Sequence, residues 1–152
     1  MTENPIERTL IIIKPDGIAR RLAGKILARV EELGLVIVGI KMIKLTPQDC
    51  QKMYPKTRQN LPQIYTEVEE HLTGEYSVVA IFEGEGAINK VRTLRGPTNL
   101  LEAPAGTIRH DLVTDETREL FRQGIYAGNL MHAPDDKKEV GLEINLFFGE
   151  GR

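Results

Sequence analysis

The chain has 152 residues, the length of one ordinary domain and enough to bury a core without disulfides or a structural metal. Twenty lysines and arginines stand against 22 aspartates and glutamates, a formal charge of -2, so no global basic field exists to hold nucleic acid, and a nucleic-acid partner is disfavoured. With 41% hydrophobic and 28% charged residues, no apolar run approaches the roughly 18 residues of a membrane span. Met1–Pro5 lacks the basic start and apolar core of a secretion signal. The single cysteine, Cys50, allows no internal disulfide and reads as a small packing residue. One domain over residues 1–152 is expected, without a linker, repeat or low-complexity segment.

Thr9–Ile13 is a short, wholly apolar run, which predicts a central strand buried on both faces. Lys14-Pro15-Asp16-Gly17 stops it as a turn, leaving Lys14 either a solvent-facing terminator or an ammonium aimed into a cleft. Leu22, Ile26, Leu27, Val30 and Leu33 recur at helical spacing, and Gly34 supplies the stop. Val36, Val38, Ile40 and Met42 then alternate with Ile37, Gly39, Lys41 and Ile43, predicting a strand with one well-buried face. Thr46-Pro47 opens a short helix through Tyr54 that Pro55 closes, and Asn60-Leu61-Pro62 opens another to about Leu72.

Tyr76–Phe82 is another apolar strand, the third in chain order, broken by Glu83-Gly84-Glu85-Gly86. A helix follows, with Ile88 and Val91 on one face; Arg92 and Arg95 lie one turn apart on another, either gripping a common anion or forming a solvated edge. Gly96–Gly106, with two prolines and two glycines, reads as an ordered loop. Thr114 caps a short helix that Gly124 ends, Asn129–Met131 forms a last strand, and a C-terminal helix follows Pro134. The order is that of a ferredoxin-like βαββαβ domain, an α/β (α+β) fold with an antiparallel sheet covered by helices. That architecture hosts many functions.

Lys14, Arg92, Arg109 and His132 fall at element ends or loop edges on separate elements. Such a set suits a polyphosphate, because phosphoryl transfer needs a nucleophile and cations that meet charge on the equatorial oxygens. Neutral imidazole is nucleophilic near pH 7, yet from His132 alone a histidine satisfied by hydrogen bonds at an element end is the favoured reading. Four stretches carry a resemblance: Glu7–Gly17; Arg92 followed by Gly96-Pro97-Thr98-Asn99; Pro104–Arg109; and Asn129-Leu130-Met131-His132-Ala133. In that order they resemble the signatures of the nucleoside diphosphate kinases.

The resemblance implies a ping-pong reaction in which His132 takes the γ-phosphate of a nucleoside triphosphate and passes it to a diphosphate. Mg2+ would ride on the nucleotide's phosphates rather than in a protein cage. Lys14 would contact phosphate and the ribose end, Arg92, Thr98 and Arg109 would hold phosphates, and Asn129 would meet the sugar. Tyr54 would help position the histidine and Glu139 would orient it through the ring nitrogen that does not attack. A cytoplasmic homo-oligomer, a hexamer or tetramer, is further implied, as is a loop covering the nucleotide. The alternative is a weakened nucleotide-binding regulatory or interaction module.

Three departures stand out. Pro134 replaces a usual serine, and the spacing from Pro134 to Glu139 is short. Arg109–Asn129, the region resembling the covering loop, is longer than usual. The aromatic that stacks on the base has no clean counterpart, with Ile64 and Tyr65 both candidates.

Overall fold

A computed structural model describes residues 4–150. The reading of Met1–Pro5 as no secretion signal lies mostly outside those residues. Strand β1 (Ile6–Ile13) is the centre of a four-stranded sheet ordered β2-β3-β1-β4, with β2 at Val36–Ile43, β3 at Ser77–Glu85 and β4 at Met131–His132. Every pairing is antiparallel, as the βαββαβ order predicts. β1 is buried on both faces, also as expected. Ile11 and Ile13 join Ile26, Val30, Phe82 and Val91 on one side, while Leu10 and Ile12 join Val79, Ile81 and Phe147 on the other.

The first side is covered by helices α2 (Ala23–Glu31) and α6 (Ala87–Arg95), whose apolar stripes the sequence displays. The second is covered by α9 (Lys137–Phe148) through Phe147. Between α2 and α6 in sequence lie α3 (Pro47–Met53), α4 (Pro55–Asn60) and α5 (Pro62–Leu72). Cys50, Tyr65, Val68 and Leu72 form a small core there, with Cys50 a buried packing residue as expected. None of the described helices is long and apolar enough to cross a membrane.

Four local expectations are corrected. Lys14-Pro15-Asp16-Gly17 is not a simple turn: Pro15 is the first residue of helix α1 (Pro15–Ala19), a position where its missing N–H costs nothing. Pro55 likewise opens α4 rather than merely closing α3, so Tyr54 is the hinge residue between two helices. β3 continues past Phe82 to Glu85, because Glu83, Gly84 and Glu85 pair with Arg8, Glu7 and Ile6. Gly84 is tolerated inside the strand because a Cβ there would collide with the Leu35 side chain.

The fourth correction concerns β2. Its Val36, Val38, Ile40 and Met42 are 43–63% exposed, so the strand has no well-buried face. It is the sheet's edge, with a register shift between Ile37 and Gly39, and alternation alone does not say whether anything covers the apolar row.

Candidate active site

The C-terminal end of β1 pairs antiparallel with β4, Ile12 opposite His132 and Ile13 opposite Met131, which brings Lys14 and His132 to the same end of the sheet. The Lys14 backbone N–H donates to the Leu130 carbonyl at 2.9 Å, and Leu130 N–H donates to Asp16 Oδ2 at 3.1 Å. Leu130 is fully buried with φ +75°, a left-handed conformation costly for leucine, so these two bonds hold a strained residue two places before His132. Gly17 permits the approach, since a Cβ there would lie 3.0 Å from the Leu130 carbonyl oxygen.

The His132 ring has a partner at each nitrogen. Nε2 meets Glu143 Oε1, and Nδ1 lies 3.1 Å from the Tyr54 hydroxyl, with the Tyr54 ring edge-on at 5.5 Å. A carboxylate only accepts, so in the neutral imidazole Nε2 carries the proton and Nδ1 the lone pair. Burial pushes the Tyr54 phenol well above its ordinary range, so its O–H is intact and donates to Nδ1. Glu143 is 3% exposed, and its Oε2 has no hydrogen-bond partner among the described residues.

The carboxylate on His132 is therefore Glu143, not Glu139. Glu139 sits in the first turn of α9, where its own N–H is capped by Asp136 and its carboxylate accepts from Asp135 N–H at 2.8 Å. Glu143 is one helical turn further on, which accounts for the short spacing noted for Glu139.

Lys14 is 4% exposed and its ammonium donates to Asn129 Oδ1 at 2.6 Å and Tyr126 Oη at 3.0 Å. Burial first, then the Arg109 guanidinium, lowers its pKa from 10.5 to about 7, against the opposing pull of Asp16. Below about 7 the folded and unfolded chains both hold the proton and the full cost of burying the ammonium is present. Between about 7 and 10.5 only the unfolded chain holds it, so this contribution to stability improves as pH rises. Lys14→Met is accordingly expected to stabilise the fold at pH 6 by about 1–3 kcal/mol while costing nucleotide turnover. Urea unfolding at pH 6 checks this, and a variant less stable than the parent would refute it.

Arg109, at the start of helix α7 (Ile108–Asp111), is 5% exposed and spends four hydrogen bonds on carbonyls. Nε reaches Asn129, Nη1 reaches Gly96 and Pro97, and Nη2 reaches Met131 at 2.8 Å. It thereby ties the loop after α6 to the segment carrying His132, with one N–H left over. Burial, reinforced by Arg95, lowers its pKa to about 10, so it stays charged near neutrality.

Arg92 is half exposed and pairs with Asp135 at 3.0 Å. Arg95 is more buried: it donates to the Ala133 carbonyl at 2.5 Å and meets Asp135 at 3.3 Å. The pair thus shares an anion, three residues past His132. Thr98 is exposed in the loop that Arg109 grips. Of the two base-stacking candidates, Tyr65 is packed into the α3–α5 core and Ile64 is 43% exposed.

The long Arg109–Asn129 segment contains the expected helix, α8 (Asp115–Arg122), capped by Thr114. Gly124 follows it, and Tyr126 turns inward to Lys14. Sequence reasoning named neither Glu143 nor Tyr126. A buried glutamate at helical spacing from Val140 and Phe147 was the available signal for the first.

A ferredoxin-like sheet whose last strand carries a carboxylate-held histidine, with Arg109 and Arg95 bonded to the carbonyls on either side of it and a buried lysine at the end of the neighbouring strand, is suited to meeting a phosphate group. Residues 7–152 match the family model described as nucleoside diphosphate kinase. The nucleoside diphosphate kinase of Methanobrevibacter smithii is 39% identical over 95% of this chain and 89% of its own length, and that of Pyrobaculum aerophilum 33% identical over 96% and 97%. Among solved structures, the Borrelia burgdorferi nucleoside diphosphate kinase with bound vanadate and ADP superposes with a TM-score of 0.84 at 27% identity, covering 95% of this chain and 88% of that one. The Pyrobaculum aerophilum NDP kinase gives 0.82 at 31%, covering 96% and 97%. The chain belongs to the nucleoside diphosphate kinase family. It is an enzyme that transfers phosphoryl groups between nucleotides, in a family that uses a divalent cation.

Proposed function

We propose that His132 carries the phosphoryl group between nucleotides, in a ping-pong cycle that maintains nucleoside triphosphates. The observation that carries this reading is the contact of the Glu143 carboxylate with His132 Nε2, which in the neutral ring keeps the proton there and leaves the lone pair on Nδ1, where the Tyr54 O–H gives way to the incoming phosphorus. As the Nδ1–P bond forms, the bond from phosphorus to the β,γ-bridging oxygen breaks and its electrons leave with the nucleoside diphosphate. The ring then bears positive charge, which the Glu143 carboxylate offsets. Transfer to an acceptor diphosphate reverses these events. The Tyr54 hydroxyl, released from Nδ1, donates to the transferred phosphoryl oxygens.

Lys14, Arg92, Thr98 and Arg109 bind phosphate, Arg109 through its remaining N–H, and Asn129 meets the sugar through what Lys14 leaves free. Asp135 yields Arg92 when phosphate arrives. Among the described residues no group of three or more His, Cys, Asp or Glu side chains gathers as a metal cage, and the concentration of cationic donors suits a metal that enters on the nucleotide. We assign that metal as Mg2+, which neutralises charge on the phosphate oxygens when bound.

We read residues 1–152 as one catalytic domain working on cytoplasmic nucleotide pools, a location that cell fractionation tests. The exposed Val36, Val38, Ile40 and Met42 row on edge strand β2 supports a homo-oligomer, hexamer or tetramer as in the resembling family. Sedimentation velocity should return one of those masses, and a monomer at micromolar concentration would refute the assembly. The catalytic reading is tested by incubating the protein with γ-labelled ATP and magnesium. An acid-labile, alkali-stable protein label that GDP discharges is expected. Nucleotide binding without label would instead select a regulatory module.

A further inference from the structure

Tyr126 lies in the lengthened segment, two residues past Gly124, and is held from two directions. Its backbone N–H donates to Glu67 Oε2 at 3.1 Å, and its ring meets the His71 ring edge-on at 5.0 Å, both partners on α5. Its hydroxyl accepts from Lys14 Nζ at 3.0 Å, and the ammonium stands 5.6 Å from the ring centroid. We propose that Tyr126 is a positioning residue for nucleotide phosphate, fixing the Lys14 ammonium from a ring anchored on α5. The inference rests on the reading of Lys14 as a phosphate ligand.

An ammonium has three equivalent N–H groups that turn about its last bond over a low barrier. Asn129 Oδ1 and Tyr126 Oη accept two of them, so one N–H remains and its direction is set. With Asn129 alone, two N–H groups would be left without an acceptor, and either could meet the phosphate. Burial, ahead of the Asp16 carboxylate, raises the Tyr126 phenol, so the group beside Lys14 is a neutral hydroxyl that can accept while keeping its own proton.

The contact also bears on whether Lys14 is charged at all. Facing it are Asp16 on α1, Cys50 on α3, Arg95 on α6, Arg109 on α7, and Tyr126 and Asn129 from the loop. Burial and the two arginines favour loss of the proton, whereas Asp16 and the two acceptors favour keeping it. Removing one acceptor should shift that balance.

The test uses the full chain with Tyr126→Phe, which keeps the ring and its α5 contacts and deletes the oxygen. The Lys14 side-chain methylene resonance, followed by NMR against pH in the nucleotide-free protein, is expected to titrate about one pH unit lower. The basic limb of kcat/KM for ATP should move down with it, giving a loss of about tenfold at pH 8. Tyr126→Leu, which also removes the ring, serves as a measure of packing through its melting temperature. Unchanged Lys14 titration and an unchanged limb in Tyr126→Phe would overturn the proposal and leave Tyr126 as a packing residue, whatever the leucine variant does. Labelling of His132 in the parent protein reports separately on the catalytic reading: label with no shift sinks only this inference, and a shift without label sinks only that reading.

Discussion

Replacing His132 with glutamine or alanine is expected to abolish phosphoryl transfer, lowering kcat by at least about 10⁴, while nucleotide affinity stays within a few-fold. The separation follows from the geometry. The groups assigned to phosphate, Lys14, Arg92 and Arg109, draw their support from Asn129, Asp135 and backbone carbonyls rather than from the His132 ring. The alanine variant has a second consequence. Glu143 Oε2 is already buried without a partner, and loss of Nε2–H would strip Oε1 as well, destabilising the fold by about 1–3 kcal/mol. Glutamine can still offer an N–H, so it should fall less in stability while being equally inactive. Retained labelling by γ-labelled ATP in either variant would place the phosphoryl group elsewhere, and equal loss of binding and turnover would make His132 a structural residue.

The second large effect is expected at Glu143. Glu143→Gln removes the negative charge that offsets the phosphorylated ring and no longer dictates which nitrogen holds the proton, because an amide can turn either its oxygen or its N–H toward Nε2. A loss of about a hundredfold in kcat is expected, with KM little changed, since the carboxylate touches the ring rather than the nucleotide. Glu139→Gln should stay within about threefold of the parent, losing only part of a turn that joins Asp135 to α9. Presteady-state labelling rates distinguish the two. A larger loss at Glu139 would reverse the assignment made from the Nε2 contact.

The contrast between these glutamates shows what the sequence could convey. They lie four residues apart on α9, but only Glu143 shares the buried stripe of Val140 and Phe147, while Glu139 is exposed in the first turn; the spacing was in the sequence, and that this stripe meets His132 needed the fold. The order of the elements, the helical stripes of α2 and α6, and the placing of Lys14, Arg92, Arg109 and His132 at or near element ends were legible because each depends on a local pattern. Tyr126 was not, since a residue between Gly124 and Gly128 has no periodic signal and its target is Lys14, 112 residues away. Pro55 was misread for a related reason: proline stops one helix and starts the next with the same ring, and only the backbone at Tyr54 reveals both. On β2 the alternation was plain, but what lies above a strand is a property of the whole sheet.

The left-handed Leu130 has an implication for how the enzyme meets its substrate. Because its amide and carbonyl are clamped by Asp16 and by the Lys14 backbone, the turn bearing the lysine and the segment bearing the histidine form a single mechanical piece under tension. Neither half can drift without releasing the other. On the roles proposed for Lys14 and His132, the two reach the nucleotide as one preset unit, so that binding energy is not spent bringing them together and only side chains such as Arg92 and Tyr54 rearrange.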